Sequence, residues 1–366
     1  MADPRIIVDA HEDLAWNILT FGRDYTRPAE ETRAIERGTE TPLHNGDTLL
    51  GWADYQRGRV AVVFATLFSA PERRKLGDWD TQTYKNAEEA HTNYRKQIDA
   101  YRRLVDEHPD KFQLIFSKPD LESVLSEWEE SGEAGHPVGL VILMEGAEGV
   151  RSPEELEEWW QAGVRLIGPA WTGTRFSGGT HEPGPLTKEG YALLEGMADY
   201  GFILDLSHMD EQAALQALDY YPGRIIASHS NAARLLKDVQ SNRFLSDPVI
   251  YRLLERDGII GAVPYNRFLL WGWTPSHGRG MVTLEHAVAQ IDTICQMAGD
   301  ARHVGIGSDY DGGFGVQMAP TGVDTIADLQ KLAPMLSEKG YTENDITAIM
   351  GGSWLSLLRE TLPGKS

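Results

Sequence analysis

The chain has one cysteine, Cys295, in 366 residues. A lone cysteine excludes an internal disulfide and any thiolate cluster for zinc. A metal held here would need histidine and carboxylate. Cationic side chains are also in the minority: 34 Lys and Arg against 55 Asp and Glu give a net charge of −21. That balance argues against nucleic acid or anionic membrane as a partner. No apolar run approaches the roughly 18 residues of a membrane-spanning helix. The N-terminal M-A-D-P-R lacks the apolar core of a signal peptide, and the C-terminal P-G-K-S shows no lipid-anchor signal. A soluble, cytoplasmic protein is expected. No Gly-rich phosphate fingerprint follows the first apolar run, which weakens a doubly wound open sheet as the fold.

What the chain does have is a series of short apolar runs, nearly all separated by helical patterns. The runs cover residues 6–8, 59–68, 138–144, a stretch around Leu166 and Ile167, then 202–206, 224–227, 259–263 and 304–306. Residues 112–116 form a further short extended piece. Helices are expected over 81–108, 119–130, 187–200, 210–221, 248–256, 284–297, 326–339 and 343–362. In the helix over 284–297, Cys295 falls on an apolar stripe with Leu284, Ala287, Val288, Ile291 and Ile294, so core packing is its expected task. The pattern predicts an α/β chain: a single (β/α)8 barrel over residues 1–366, with long loops at its C-terminal face. The polar stretch 23–45 would cross the mouth. The Gly-rich segment 172–185 is too long for a simple turn and would shape a pocket.

Ligand-type residues recur where these strands end. His11 and Asp13 follow the first run and share a face of an extended chain. Glu145 closes the third run, His208 follows the fifth, His229 the sixth and Asp309 the eighth. Each has an ordinary reading: a helix entry for His208, a simple turn for Asp309 and Asp311. Glu145 is harder to dismiss, because a buried unpaired carboxylate costs several kcal/mol. Barrel strand ends converge on one mouth, and three histidines and three carboxylates gathered there call for cations. Two divalent ions fit the count: His11 and Asp13 on one, His208 and His229 on the other, Glu145 between them, with Asp309 left for proton transfer.

The motifs D-A-H-E-D-L-A-W (9–16), M-E-G (144–146), L-D-L-S-H (204–208), S-H-S (228–230) and G-I-G-S-D-Y-D-G (305–312) occur in this order. Together they are specific, and over most of its length the chain resembles the membrane (renal) dipeptidases, zinc metallopeptidases with an amidohydrolase-type barrel. The resemblance implies that His11, Asp13, Glu145, His208 and His229 ligate two zinc ions, Glu145 bridging at the reacting centre, and that Asp309 is the catalytic acid/base. Arg243 falls where the family holds the substrate's free carboxylate. Where the family carries a carbonyl-polarising histidine, after the fourth strand, this chain has Trp171, which offers one N–H and no titratable charge. His181 and Arg175, in the following loop, are candidates to replace that histidine, although an exposed loop residue is the plainer reading of His181. Tyr265, past the seventh strand, is expected to join Arg243 and Trp171 beside the substrate. The expected activity is hydrolysis of short peptides with a free C-terminus. A metal-dependent hydrolase of a non-peptide amide, N-acyl amino acid or lactone is the alternative, and a non-catalytic metal-binding barrel the remote one. Other divalent metals suit the same ligands. A homodimer is allowed but not specified.

Overall fold

The continuous apolar runs become strands buried on both faces, as in a parallel sheet covered by helices. In the computed structural model, which describes residues 5–129 and 135–365, eight of them form the barrel. They are β1 (Ile7–Glu12), β2 (Val60–Phe68), β3 (Val138–Glu145), β4 (Val164–Gly168), β5 (Ile203–Asp205), β6 (Ile225–Ala227), β7 (Ile259–Ala262) and β8 (Val304–Ile306). All pair in parallel and in chain order, and β1 pairs with β8 to close the ring. This is the (β/α)8 barrel expected from the strand count. Among the described residues, no helix is long and apolar enough to cross a membrane.

Several local expectations shift. β1 extends through Glu12, so His11 lies within the strand. The helix expected over 81–108 occupies Ala87–Glu107, because Thr83–Tyr84 pairs as a short strand with Ala70–Pro71 and Asn86 caps the helix through Glu89 N–H at 3.0 Å. Residues Phe112–Leu114 add to the first residues of β3. The segment 172–185 is more ordered than a loop: Ser177–Gly179 and Glu182–Leu186 form an antiparallel hairpin. The helix expected over 343–362 is interrupted by a π-helical turn at Ala348–Gly352. Residues 1–4, the expected helix end at Glu130, and Ser366 lie outside the described residues. Cys295 is free and buried on its apolar stripe.

The stretch that crosses the mouth carries two helices, Ala29–Glu36 and Thr41–Asn45. One residue pins it to the barrel. Asp311 is fully buried and accepts hydrogen bonds from Arg23 Nη1 (2.9 Å), Tyr25 OH (2.9 Å), the Leu49 N–H (2.9 Å) and the Thr48 hydroxyl. Removing that carboxylate leaves the buried Tyr25 hydroxyl and Leu49 N–H without their acceptor, at about 1–3 kcal/mol each, while Arg23 keeps Glu36 at 2.9 Å. Asp311→Ala is therefore expected to destabilise the fold by about 3 kcal/mol or more, read as a lower urea midpoint. An unchanged midpoint would show that the crossing segment is held some other way.

Candidate active site

The C-terminal strand ends bring their polar residues to one point. Glu145, the last residue of β3, sits between three imidazoles. Its Oε2 lies 3.6 Å from His11 Nε2, and its Oε1 lies 3.0 Å from His208 Nε2 and 3.4 Å from His229 Nε2. His208 and His229 face each other at 2.9 Å between Nε2 atoms. The rings of His11 and His229 lie 3.6 Å apart, centre to centre. On the other side, His11, Asp13 and Asp309 offer atoms within 4.8 Å of one another, as do His11, Glu145 and His229. Asp309 Oδ1 is 3.9 Å from His11 Nε2. All six residues expected at the mouth thus converge.

Buried polar groups hold them in place. Asp205 accepts from the Ser207 and Ser228 N–H groups (3.0 and 2.8 Å) and from the Ser228 hydroxyl, and that hydroxyl is 2.9 Å from His229 Nδ1. Thr180 Oγ1 is hydrogen-bonded to His208 Nδ1 at 3.0 Å, and Thr66 donates to Asp13. Asp9 accepts from the Ser308 N–H at 2.7 Å and from its hydroxyl, anchoring the residue before Asp309. Such partners set the ring orientation of a metal-binding histidine. His208 (φ 69°) and Asp309 (φ 60°) adopt left-handed backbone, a conformation that persists in non-glycine residues where the surroundings enforce it. At Gly312 a side chain would strike the carboxylates of Asp13 and Asp309.

The electrostatics suit cations. Burial alone would lower the His11 pKa, but Glu145, Asp13 and Asp309 outweigh it and push it up to about 10. Burial, then Glu145, pushes Asp13 up to about 7. Burial raises Asp309 well above the usual carboxylate range, and burial followed by Arg243 brings His208 down to about 4. Without metal, protons and the Arg243 guanidinium are left to balance this cluster. His11 makes the point sharply: both ring nitrogens are buried and have no hydrogen-bond partner among the described residues. An imidazole so placed fits a metal ligand, and the His/carboxylate set fits hard or borderline divalent ions.

Comparison with known proteins agrees. The family model described as membrane dipeptidase (peptidase family M19) matches residues 2–363. The chain belongs to the membrane dipeptidase family. Membership makes it a metal-dependent dipeptidase, a hydrolase of peptide bonds. It is 25% identical to the dipeptidase ataJ of Aspergillus terreus over 97% of this chain and 84% of that protein. Two solved structures share the fold. A metallopeptidase of Rhodobacter sphaeroides, bound to a phosphinate mimic of the dipeptide L-Ala-D-Ala, has a TM-score of 0.78 at 22% identity, over 98% of this chain and 100% of its own. The probable dipeptidase PvdM of Pseudomonas aeruginosa has a TM-score of 0.78 at 19% identity, over 98% and 96%.

In this dipeptidase the cluster opens into a cavity of about 910 Å³. Arg243, Trp171, Tyr265 and His181 all line it. Arg243 is 5% exposed, donates from Nη1 to Ser230 Oγ (3.1 Å) and from Nη2 to the His229 carbonyl (2.7 Å), and lies over the Phe268 ring. Its Nε is buried and has no hydrogen-bond partner among the described residues. The Trp171 ring lies 6.2 Å from the His208 ring and 5.0 Å from Phe68. Tyr265 stacks on Phe314 at 4.1 Å. His181 is exposed at the hairpin turn. Arg175 is not available to replace the family histidine: Glu148 (3.2 Å) and Glu189 (3.1 Å) hold it in a separate cleft. The reading of the sequence passed over Asp9 and Asp205. Each is a carboxylate beside an apolar strand, the signal that singled out Glu145.

Proposed function

We propose that the enzyme cleaves short peptides with a free C-terminal carboxylate, using two divalent ions, zinc by preference, held by His11, Asp13, Glu145, His208 and His229. The observation that carries this reading is the position of Glu145, with one oxygen toward His11 and the other toward His208 and His229, as a bridging carboxylate requires. When bound, the ions polarise the scissile carbonyl and lower the pKa of water.

The chain's own residues do the rest. Arg243 offers the Nη–H donors not taken by Ser230 and the His229 carbonyl to the substrate carboxylate, which sets the length of peptide accepted. Asp309 has no side-chain hydrogen bond among the described residues, so its carboxylate is free to accept a proton from the attacking water and return it to the leaving amine nitrogen. Trp171 and Phe68 wall the cavity beside His208 and shield it from water. Tyr265 walls the side nearer Arg243.

The test is a panel of dipeptides, with either stereochemistry at the second residue, set against N-acyl amino acids on the metal-loaded protein. Dipeptide turnover is expected. Turnover of N-acyl amino acids alone would favour the second reading, which rests on Trp171 occupying the position of the family histidine. Arg243→Ala is expected to raise KM by about 10-fold or more for carboxylate-bearing substrates, the scale of one charged hydrogen bond. An unchanged KM would place Arg243 outside the binding site.

A further inference from the structure

The cavity has two aromatic ends. Phe244, Phe268 and Tyr265 surround Arg243, with Phe244 and Phe268 at 5.2 Å and Tyr265 and Phe268 at 4.9 Å. These residues follow β6 and β7. Across the mouth, past β1, β2 and β4, the rings of Trp171, Phe68, Trp16 and Trp79 line the other end in succession, at 5.0, 6.3 and 6.2 Å. With the substrate's carboxylate on Arg243, the residue on the amino side of the scissile bond points toward this second end.

That end closes on Asp80, in the loop after β2. Asp80 lines the cavity and is 3% exposed. Its Oδ2 accepts the Leu76 N–H at 3.2 Å and so braces the turn. Its Oδ1 is buried and has no partner among the described residues. Bracing the turn accounts for one oxygen only. Arg74 lines the same end, but Glu182 meets its charge at 3.0 Å. A buried carboxylate oxygen without a partner is costly. Trp79 stacks on Phe21 at 5.5 Å and on His44 at 4.5 Å, which leaves Trp16 for a cation–π contact.

We propose that Asp80, Trp16 and Trp79 form a subsite for a cationic side chain, lysine- or arginine-like, on the substrate residue amino-terminal to the scissile bond. The proposal rests on the dipeptidase reading. The aromatic wall packs the methylene stem, as apolar surface does for long charged side chains, and Asp80 Oδ1 takes an N–H of the charged head. The substrate's α-ammonium sits next to the scissile carbonyl, whereas Trp79 lies several rings out from His208. The side-chain cation is therefore the better match.

The test compares kcat/KM for lysyl-alanine and norleucyl-alanine, which differ in the terminal charge. The wild-type enzyme is expected to favour lysyl-alanine by roughly 10-fold or more, the scale of one charge-assisted hydrogen bond. In Asp80→Asn, which keeps an acceptor for Leu76, the ratio is expected to fall to near one. A wild-type ratio at or below one overturns the proposal. So does a ratio unchanged in Asp80→Asn, whether both substrates lose equally, as an α-ammonium contact would give, or neither loses. The wild-type ratio decides the case should the variant not fold. Cleavage of norleucyl-alanine without a lysyl preference defeats this inference alone. Failure to cleave either dipeptide defeats the dipeptidase reading and this inference with it.

Discussion

Asp309→Asn is expected to lower kcat by at least about 10²-fold, the size of a positioned general acid/base, while metal content and fold stay intact. The substitution keeps the shape of the side chain and removes its ability to take a proton. Asparagine tolerates left-handed backbone at least as well as aspartate, so the φ of 60° at this position costs nothing new. Asp309 approaches His11 without a side-chain hydrogen bond of its own among the described residues, and its loss therefore unpairs no neighbour. Turnover would be followed with a good dipeptide substrate, alongside metal analysis and circular dichroism. Undiminished turnover would remove Asp309 from the mechanism and leave the proton to another group.

Stripping the protein with a chelator is expected to abolish dipeptide turnover and to lower its melting temperature by several degrees, with both restored by zinc, manganese or cobalt. A ligand that binds only the folded state at 1,000 times its dissociation constant adds about 4 kcal/mol of stability. The effect should be large here because His11, Asp13, Glu145 and Asp309 crowd one largely buried volume where otherwise only protons and Arg243 offset the carboxylates. Protein purified without chelator should carry about two ions per chain, the count that a bridging Glu145 implies. One ion per chain would reduce the proposal to a mononuclear site. Full activity after exhaustive chelation would overturn metal dependence.

Much of the fold was legible because β2 and β3 are buried along nearly their whole length, and strands of that kind are almost wholly apolar. The ligand set was legible for a related reason. Glu145 ends an eight-residue buried strand, and a carboxylate there stands out against its neighbours. The same signal existed at Asp9 and Asp205 and was passed over, since Asp205 lies inside the apolar run 202–206 and Asp9 stands beside the stronger metal-ligand pattern of His11 and Asp13. The hairpin within residues 172–185 was missed because its glycines and prolines have low strand propensity, and pairing between its two arms decides it.

The sequence by itself determined the number of strands, the absence of thiolate chemistry and the residue types at the strand ends, because burial and backbone preference act locally and leave a periodic record. Tertiary structure alone decided which charges meet. Arg175 belongs to Glu148 and Glu189 rather than to the mouth, Asp311 reaches partners more than 260 positions away, and one Asp80 oxygen finds no partner among the described residues. Those outcomes depend on distances between side chains brought together only when the barrel closes, and pattern along the chain carries no trace of them.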